Sequence, residues 1–185
     1  MKHVCVVFPP GAGGNHLRNL IDNSLSHEEL HFLYQQSSLL AHSQTGSNFD
    51  PDKFVSRGIT HGHFGEIMSH QILIRQHVNQ IKLIILSPDT LKDRQLLNQR
   101  RKKLNINHHQ VGNYFDNEQV FLYESFMYRY YFGISTDDIM NISISEWFQP
   151  DIENLLGKIC EFLKIKLDKK FCSEIHALWC KKNLE

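Results

Sequence analysis

The sequence has no excess of charge of either sign. Lys and Arg together number 20, Asp and Glu together number 20, and the formal net charge of the 185 residues is zero. A protein without net charge has no long-range field that attracts nucleic acid or an acidic membrane surface. We therefore expect no nucleic-acid partner and no membrane partner, and any anion must be recognised by a local group of residues.

Paired cysteines and long apolar runs are also missing. The four cysteines form no CxxC pair, which favours reduced thiols over a disulfide framework or a zinc site. The apolar run 4–8 is too short for a signal peptide, and no run approaches the length of a membrane span. We expect a cytoplasmic protein whose thiols stay reduced; the four are Cys5, Cys160, Cys172 and Cys180.

Two apolar, β-branched runs, 3–8 and 81–86, are typical of strands buried on both faces of a parallel sheet. Helical spacing of apolar residues follows each run. This alternation predicts one α/β domain over 1–185, with a mostly parallel central sheet flanked by helices on both faces. Further strands are expected at 59–63 and 142–144, loops at 43–56 and 105–117, and helices at 26–41, 64–78, 88–103 and 118–132.

Local signals locate several helix ends. Ser26 with Glu29 matches a capping box, and Asp151 is expected to cap the helix that follows it. In the last helix, one apolar side is predicted to face the core; it consists of Phe171, Ile175, Leu178 and Trp179.

A glycine-rich segment, 9–16, joins the first strand to the first helix. The N–H groups at a helix N-terminus attract anions, and preceding glycines allow the backbone to approach a phosphate closely. The Lys-Ser/Thr pair of a Walker A motif is absent, which disfavours ATP–magnesium chemistry. The alternative interpretation is a tight turn in which the glycines serve only close packing.

These features resemble the sulfotransferases that use 3′-phosphoadenosine 5′-phosphosulfate (PAPS). Phe8-Pro-Pro-Gly-Ala-Gly-Gly14 resembles their donor-binding loop, and Ile59-Thr-His61 resembles the segment that carries their catalytic histidine. The segment 81–93 resembles the strand and helix that hold the 3′-phosphate. The segments 142–148 and 159–163 are similar to the family's pattern near its C-terminus.

The resemblance implies a P-loop-like three-layer fold and sulfuryl transfer from PAPS to a hydroxyl or amine acceptor, without a metal. It implies that His61 is the general base and that Ser87 and Arg94 contact the second phosphate. The expected partners are therefore a small-molecule nucleotide and an acceptor, and the sequence is compatible with a homo-oligomer. The residues implied to hold the 5′-phosphosulfate are Pro10, Gly11, Ala12, Gly13, Gly14, Asn15 and His16.

Pro10 stands where the family has a donor-binding lysine, and Ser87 where it has an arginine. These replacements motivate a second hypothesis, a catalytically degenerate nucleotide- or anion-binding module of the same fold. His61 and His63 would face one side of a strand, which leaves metal binding or a plain strand end as alternatives to catalysis. The basic run 100–103 is predicted to be a solvated helix face.

Overall fold

The computed structural model describes residues 3–9, 11–22, 26–36, 59–62, 79, 81–105 and 133–184. Pro10, His63, the loop 43–56, the loop residues 106–117 and the helices expected at 64–78 and 118–132 lie outside these ranges. The described strands are β1 (His3–Val7), β2 (Ile59–Gly62), β3 (Ile81–Ser87) and β4 (Ile139–Ser143). The described helices are α1 (Gly14–Ile21), α2 (His27–Gln36), α3 (Leu91–Lys103), α4 (Ile144–Trp147), α5 (Glu153–Leu163) and α6 (Lys169–Asn183).

The four strands form one sheet in the order β2-β1-β3-β4, and every pairing is parallel. The expected α/β class with a parallel sheet is therefore confirmed. In β3, six of the seven residues are buried, because a strand covered on both faces needs apolar side chains at consecutive positions. Val6 pairs with His61 on one side and with Ile84 on the other.

This strand order brings the glycine turn after β1, the end of β2 and the end of β3 to one edge of the sheet. The carboxyl ends of β1, β2 and β3 point the same way because the strands are parallel. The chain passes from β1 to β2 on one side of β1, while β3 lies on its other side. Ligands of open α/β sheets bind at such a point of reversed connection, outside the carboxyl ends of the strands.

Two predicted helix starts depend on local hydrogen bonds. Ser26 Oγ accepts from the Glu29 N–H, and Glu29 Oε2 accepts from the Ser26 N–H, so this capping box is confirmed. The helix expected at 88–103 begins at Leu91, because Thr90 and Asp93 form a second capping box. Asp93 Oδ1 also accepts from the Ser145 N–H at 2.6 Å, which joins α3 to α4.

The structure corrects four predictions. The strand expected at 142–144 is Ile139–Ser143, and Ile144 begins α4 because the Ser143 hydroxyl caps that helix. α5 begins at Glu153 with Ile152 as its N-cap, although Asp151 still accepts from the Glu153 N–H. Leu178 is exposed, and His176 and Cys180 share the buried side of α6 with Trp179.

The fourth correction concerns the basic run of α3. Arg100 and Arg101 are only 2% and 6% exposed, whereas Lys102 and Lys103 are exposed. The run is therefore not a solvated face, because its two arginines lie on the side of α3 that packs against the protein. Within the described ranges, none of the helices is long and apolar enough to cross a membrane.

Candidate functional site

The glycine turn follows the carboxyl end of β1. Gly11 and Gly13 have φ angles of 86° and 81°, in the left-handed region that glycine adopts without strain. The Ala12 N–H donates to the Pro9 carbonyl at 3.0 Å, which closes a tight turn before α1. The expected succession of strand, glycine turn and helix is thus present.

Two of the glycines also permit close packing. A Cβ on Gly13 would lie 2.5 Å from Trp179 Cζ2 and 3.1 Å from Arg100 Nη1. A Cβ on Gly14 would collide with the ring of Phe8. The packing role that the sequence left open therefore accounts for the absence of a side chain at both positions.

The amides available to an anion are fewer than the loop's length suggests. The Ala12 N–H is used in the turn, and the His16 N–H donates to the Gly13 carbonyl at 3.0 Å. The N–H groups of Gly14 and Asn15 occupy the first two positions of α1, where a helix offers no carbonyl partner of its own. Of the loop amides expected to hold the phosphosulfate, those of Ala12 and His16 are therefore already hydrogen-bonded to carbonyls, and those of Gly14 and Asn15 have no partner within the helix.

His16 is part of a buried aromatic cluster. Its ring is 1% exposed and stacks on Trp179, with a centroid separation of 4.6 Å and an interplanar angle of 8°. His16 Nε2 lies 3.1 Å from His176 Nδ1. An exposed position for His16 is therefore excluded.

The hydrogen bonds of the cluster determine which nitrogens carry protons. His176 Nε2 lies 2.9 Å from the Gln149 carbonyl oxygen, which can only accept, so Nε2 carries the proton of the neutral ring. His176 Nδ1 then accepts from His16 Nε2–H. The thiol of Cys180 lies 3.2 Å from His176 Nε2 and completes this buried polar chain.

Burial keeps both imidazoles neutral. Desolvation by burial lowers the pKa of His16 well below its ordinary value of 6.5, and electrostatic interactions with His176 and Arg100 lower it further. Desolvation lowers the pKa of His176 to about 4, against the opposing effect of hydrogen bonds to the backbone carbonyls of Gln149 and Trp147. His16 is thus a neutral packing residue beside the turn rather than a cationic anion ligand.

Arg100 is a basic side chain that contacts the turn. Its Nη1 donates to the Gly11 carbonyl, and its guanidinium carbon lies 4.5 Å from the centroid of the Trp179 ring. Burial lowers the pKa of Arg100 to about 10, against an opposing effect from Cys180, so the group remains charged at neutral pH. Arg94, which was expected to contact the second phosphate, lies earlier on α3 and is half-buried.

Ser87 and the backbone of His61 lie at the same edge of the sheet. Ser87 ends β3, is buried, and donates its hydroxyl proton to Asp89 Oδ2 at 2.9 Å. The Ser87 hydroxyl, which was expected to contact a phosphate, is therefore already hydrogen-bonded to the Asp89 carboxylate. The backbone of His61 lies in β2 opposite Val6, while its side chain lies outside the description.

Trp147 and His176 are, with Arg100, residues of this site that sequence reasoning missed. Trp147 Nε1 donates to the Ala12 carbonyl at 3.0 Å, and its ring lies 4.4 Å from that of His176. The sequence contained only a weak indication that His176 is buried, namely its position next to Ile175 on the predicted apolar side of the last helix. Within the described ranges, no group of three His, Cys, Asp or Glu side chains is arranged to hold a metal ion.

No protein-family model, curated protein or solved structure matches the chain.

Proposed function

We propose that this chain binds a phosphate-bearing nucleotide of the PAPS type, as a catalytically degenerate module of sulfotransferase-like architecture. The observation that carries the proposal is the strand order, which puts the glycine turn and the end of β3 at the point of reversed connection. Helices on both faces, in a P-loop-like three-layer arrangement, belong to the same proposal.

The first turn of α1 supplies the anion-binding groups. The N–H groups of Gly14 and Asn15 and the positive end of the helix dipole favour a phosphate oxygen there. Asn15 Oδ1 is buried and has no hydrogen-bond partner among the described residues. A hydroxyl or amino group of a bound nucleotide would satisfy this acceptor, which otherwise carries a desolvation cost.

A binding role fits these residues better than catalysis does. Pro10 replaces the cation of the family loop, and Trp179 and Arg100 lie directly against Gly13. The Ser87 hydroxyl already donates to a carboxylate. Such a site retains local groups for holding a phosphate but offers fewer donors to stabilise charge in a transition state.

Calorimetric titration with 3′-phosphoadenosine 5′-phosphate tests the proposal. We expect saturable binding by the wild-type protein and weakening of about tenfold or more in Asn15→Asp, since a carboxylate there repels the phosphate. A carboxylate in the first turn also favours the helix dipole, and circular dichroism checks that the variant folds. Asn98→Asp, which makes the same charge change on exposed α3 surface, is expected to bind like wild type. Absence of binding to the wild-type protein at millimolar nucleotide would end the proposal.

Sulfuryl transfer with His61 as general base is the second candidate function. The pairing of His61 with Val6 favours it, because this register brings the carboxyl end of β2 beside the strand that leads into the glycine turn. A neutral imidazole there would take the acceptor's proton as the acceptor oxygen bonds to sulfur. The bond between sulfur and the 5′-phosphate oxygen of PAPS breaks in the same step, and 3′-phosphoadenosine 5′-phosphate leaves. Turnover of PAPS by the wild-type protein and its loss in His61→Ala would favour the enzyme. Nucleotide binding without turnover would favour the binding module.

A further inference from the structure

A cavity of about 240 Å³ lies beside α3 and is lined by basic side chains. Lys92, Arg100 and Lys103 contribute three cations from one face of the helix, and none of the lining residues is acidic. Two side-chain amides, an aromatic ring and two leucine side chains complete its polar and apolar walls; these belong to Gln99, Gln149, Phe148, Leu96 and Leu184. The cavity therefore has the charge and the hydrogen-bond donors that suit an anion.

Arg100 supplies a buried cation to this cavity. The side chain is 2% exposed, and its Nη1 is used by the Gly11 carbonyl. Its Nε and Nη2 are buried and have no hydrogen-bond partner in the part of the chain that the structure describes. A buried charge with unused donors is costly unless an anion meets it.

The aromatic neighbours of Arg100 do not replace such an anion. The guanidinium carbon lies 4.5 Å from the Trp179 ring centroid and 5.6 Å from that of Phe148, at distances typical of cation–π contacts. These contacts stabilise the charge through the ring faces, but the N–H groups at the guanidinium edge still need acceptors. A tetrahedral oxyanion provides two acceptor oxygens at the spacing of Nε and Nη2.

We propose that this cavity binds a single tetrahedral oxyanion, phosphate or sulfate, with Arg100 as its buried ligand and Lys92 and Lys103 at its mouth. Pockets for drug-sized ligands span about 300–1,000 Å³, so this smaller cavity suits one phosphoryl or sulfuryl group rather than a whole nucleotide. The ligand is either the free ion or the monoester group of a larger molecule. This site does not depend on the nucleotide proposed for the first turn of α1.

The test titrates the full chain with inorganic phosphate and, separately, with glycerol 3-phosphate at constant ionic strength. Binding is followed by the NMR signal of the Arg100 Nε–H and by calorimetry. We expect saturable binding that shifts the Arg100 signal and weakens about tenfold or more in the double variant Lys92→Gln/Lys103→Gln. The control Lys102→Gln/Lys166→Gln removes two charges from exposed positions that do not line the cavity, and it should bind like wild type.

The two titrants identify the source of the ligand. Tighter binding of glycerol 3-phosphate would indicate a monoester group, and tighter binding of phosphate would indicate the free ion. Absence of saturable binding, or equal weakening in the two double variants, would overturn the proposal. If 3′-phosphoadenosine 5′-phosphate displaced phosphate from Arg100, the cavity and the first turn of α1 would not be separate sites. Simultaneous binding of the two ligands would support two separate sites. Both lysines of the test variant are exposed, so its folding does not depend on the buried arginine.

Discussion

Trp179 Cζ2 lies 2.5 Å from the point that a Cβ on Gly13 would occupy, so the last helix packs directly on the glycine turn. The same indole stacks on His16, which lies in the first turn of α1. Two segments that are more than 160 residues apart thus form one packed unit, and α6 covers one side of the candidate anion site. Substitutions in this unit test the fold independently of any ligand.

Gly13→Ala should destabilise the protein by about 2–4 kcal/mol, because a side chain meets both an unfavourable positive φ and the ring of Trp179. Gly157→Ala is the matched control. Gly157 lies within α5 and an added Cβ meets nothing within 4 Å, so alanine should stabilise by about 0.5–1 kcal/mol. Urea unfolding measures both values. A neutral Gly13→Ala would contradict the packing described for Trp179.

Stability should fall as the solution is acidified from pH 6.5 to about 4. The unfolded histidines take up protons near 6.5, while burial holds the pKa of His176 at about 4 and that of His16 well below 6.5. The neutral imidazoles therefore contribute fully to the free energy of unfolding above pH 6.5, and this contribution is lost as the pH falls. The loss from His176 alone amounts to about 3 kcal/mol by pH 4. Denaturant unfolding at a series of pH values measures this slope.

His176→Gln should reduce that slope, even though loss of the ring lowers stability at every pH. His27→Gln is the control, because His27 is exposed and its replacement should leave the slope nearly as in wild type. If His176→Gln kept the full wild-type slope, the buried histidine pair would not be its source.

Asp93→Ala should lower the free energy of unfolding by about 2–4 kcal/mol. The carboxylate accepts from the Thr90 N–H, the Thr90 hydroxyl and the Ser145 N–H, so alanine removes a helix cap and leaves buried donors without an acceptor. Burial alone would raise the pKa of Asp93, but the hydrogen bonds from Thr90 and Ser145 lower it below its ordinary value of 3.8. Thermal unfolding checks the loss, and Gln95→Ala, at an exposed position of the same helix, should change stability by less than about 0.5 kcal/mol.

Lys164→Gly should stabilise the protein by about 0.5–1 kcal/mol. Lys164 ends α5 with a φ of 57°, a conformation that costs an L-residue free energy and glycine almost none. Lys166 is exposed and has no positive φ, so Lys166→Gly should instead be neutral or destabilising. A gain of equal size in the two variants, measured by denaturant unfolding, would argue against relief of strain at the helix end.

The sequence alone determined the local elements whose cause is local. The β-branched runs of β1 and β3, the capping box of Ser26 with Glu29, and the glycine turn all depend on residues within a few positions of one another. Their patterns could therefore be read without knowledge of the fold. The parallel sheet also followed, since strands that alternate with helices must return in the same direction.

Only the tertiary structure decided what surrounds the glycine turn. The turn is contacted from distant segments by Trp147 and Trp179, and His176 contacts His16 beside it. Arg100 was expected on a solvated face of α3, but its guanidinium donates to the Gly11 carbonyl. No local pattern distinguishes a buried arginine from an exposed one when both lie in the same basic run. That difference arises from how α3 and α6 pack against the glycine turn, because burial is a property of the neighbours that the fold brings together.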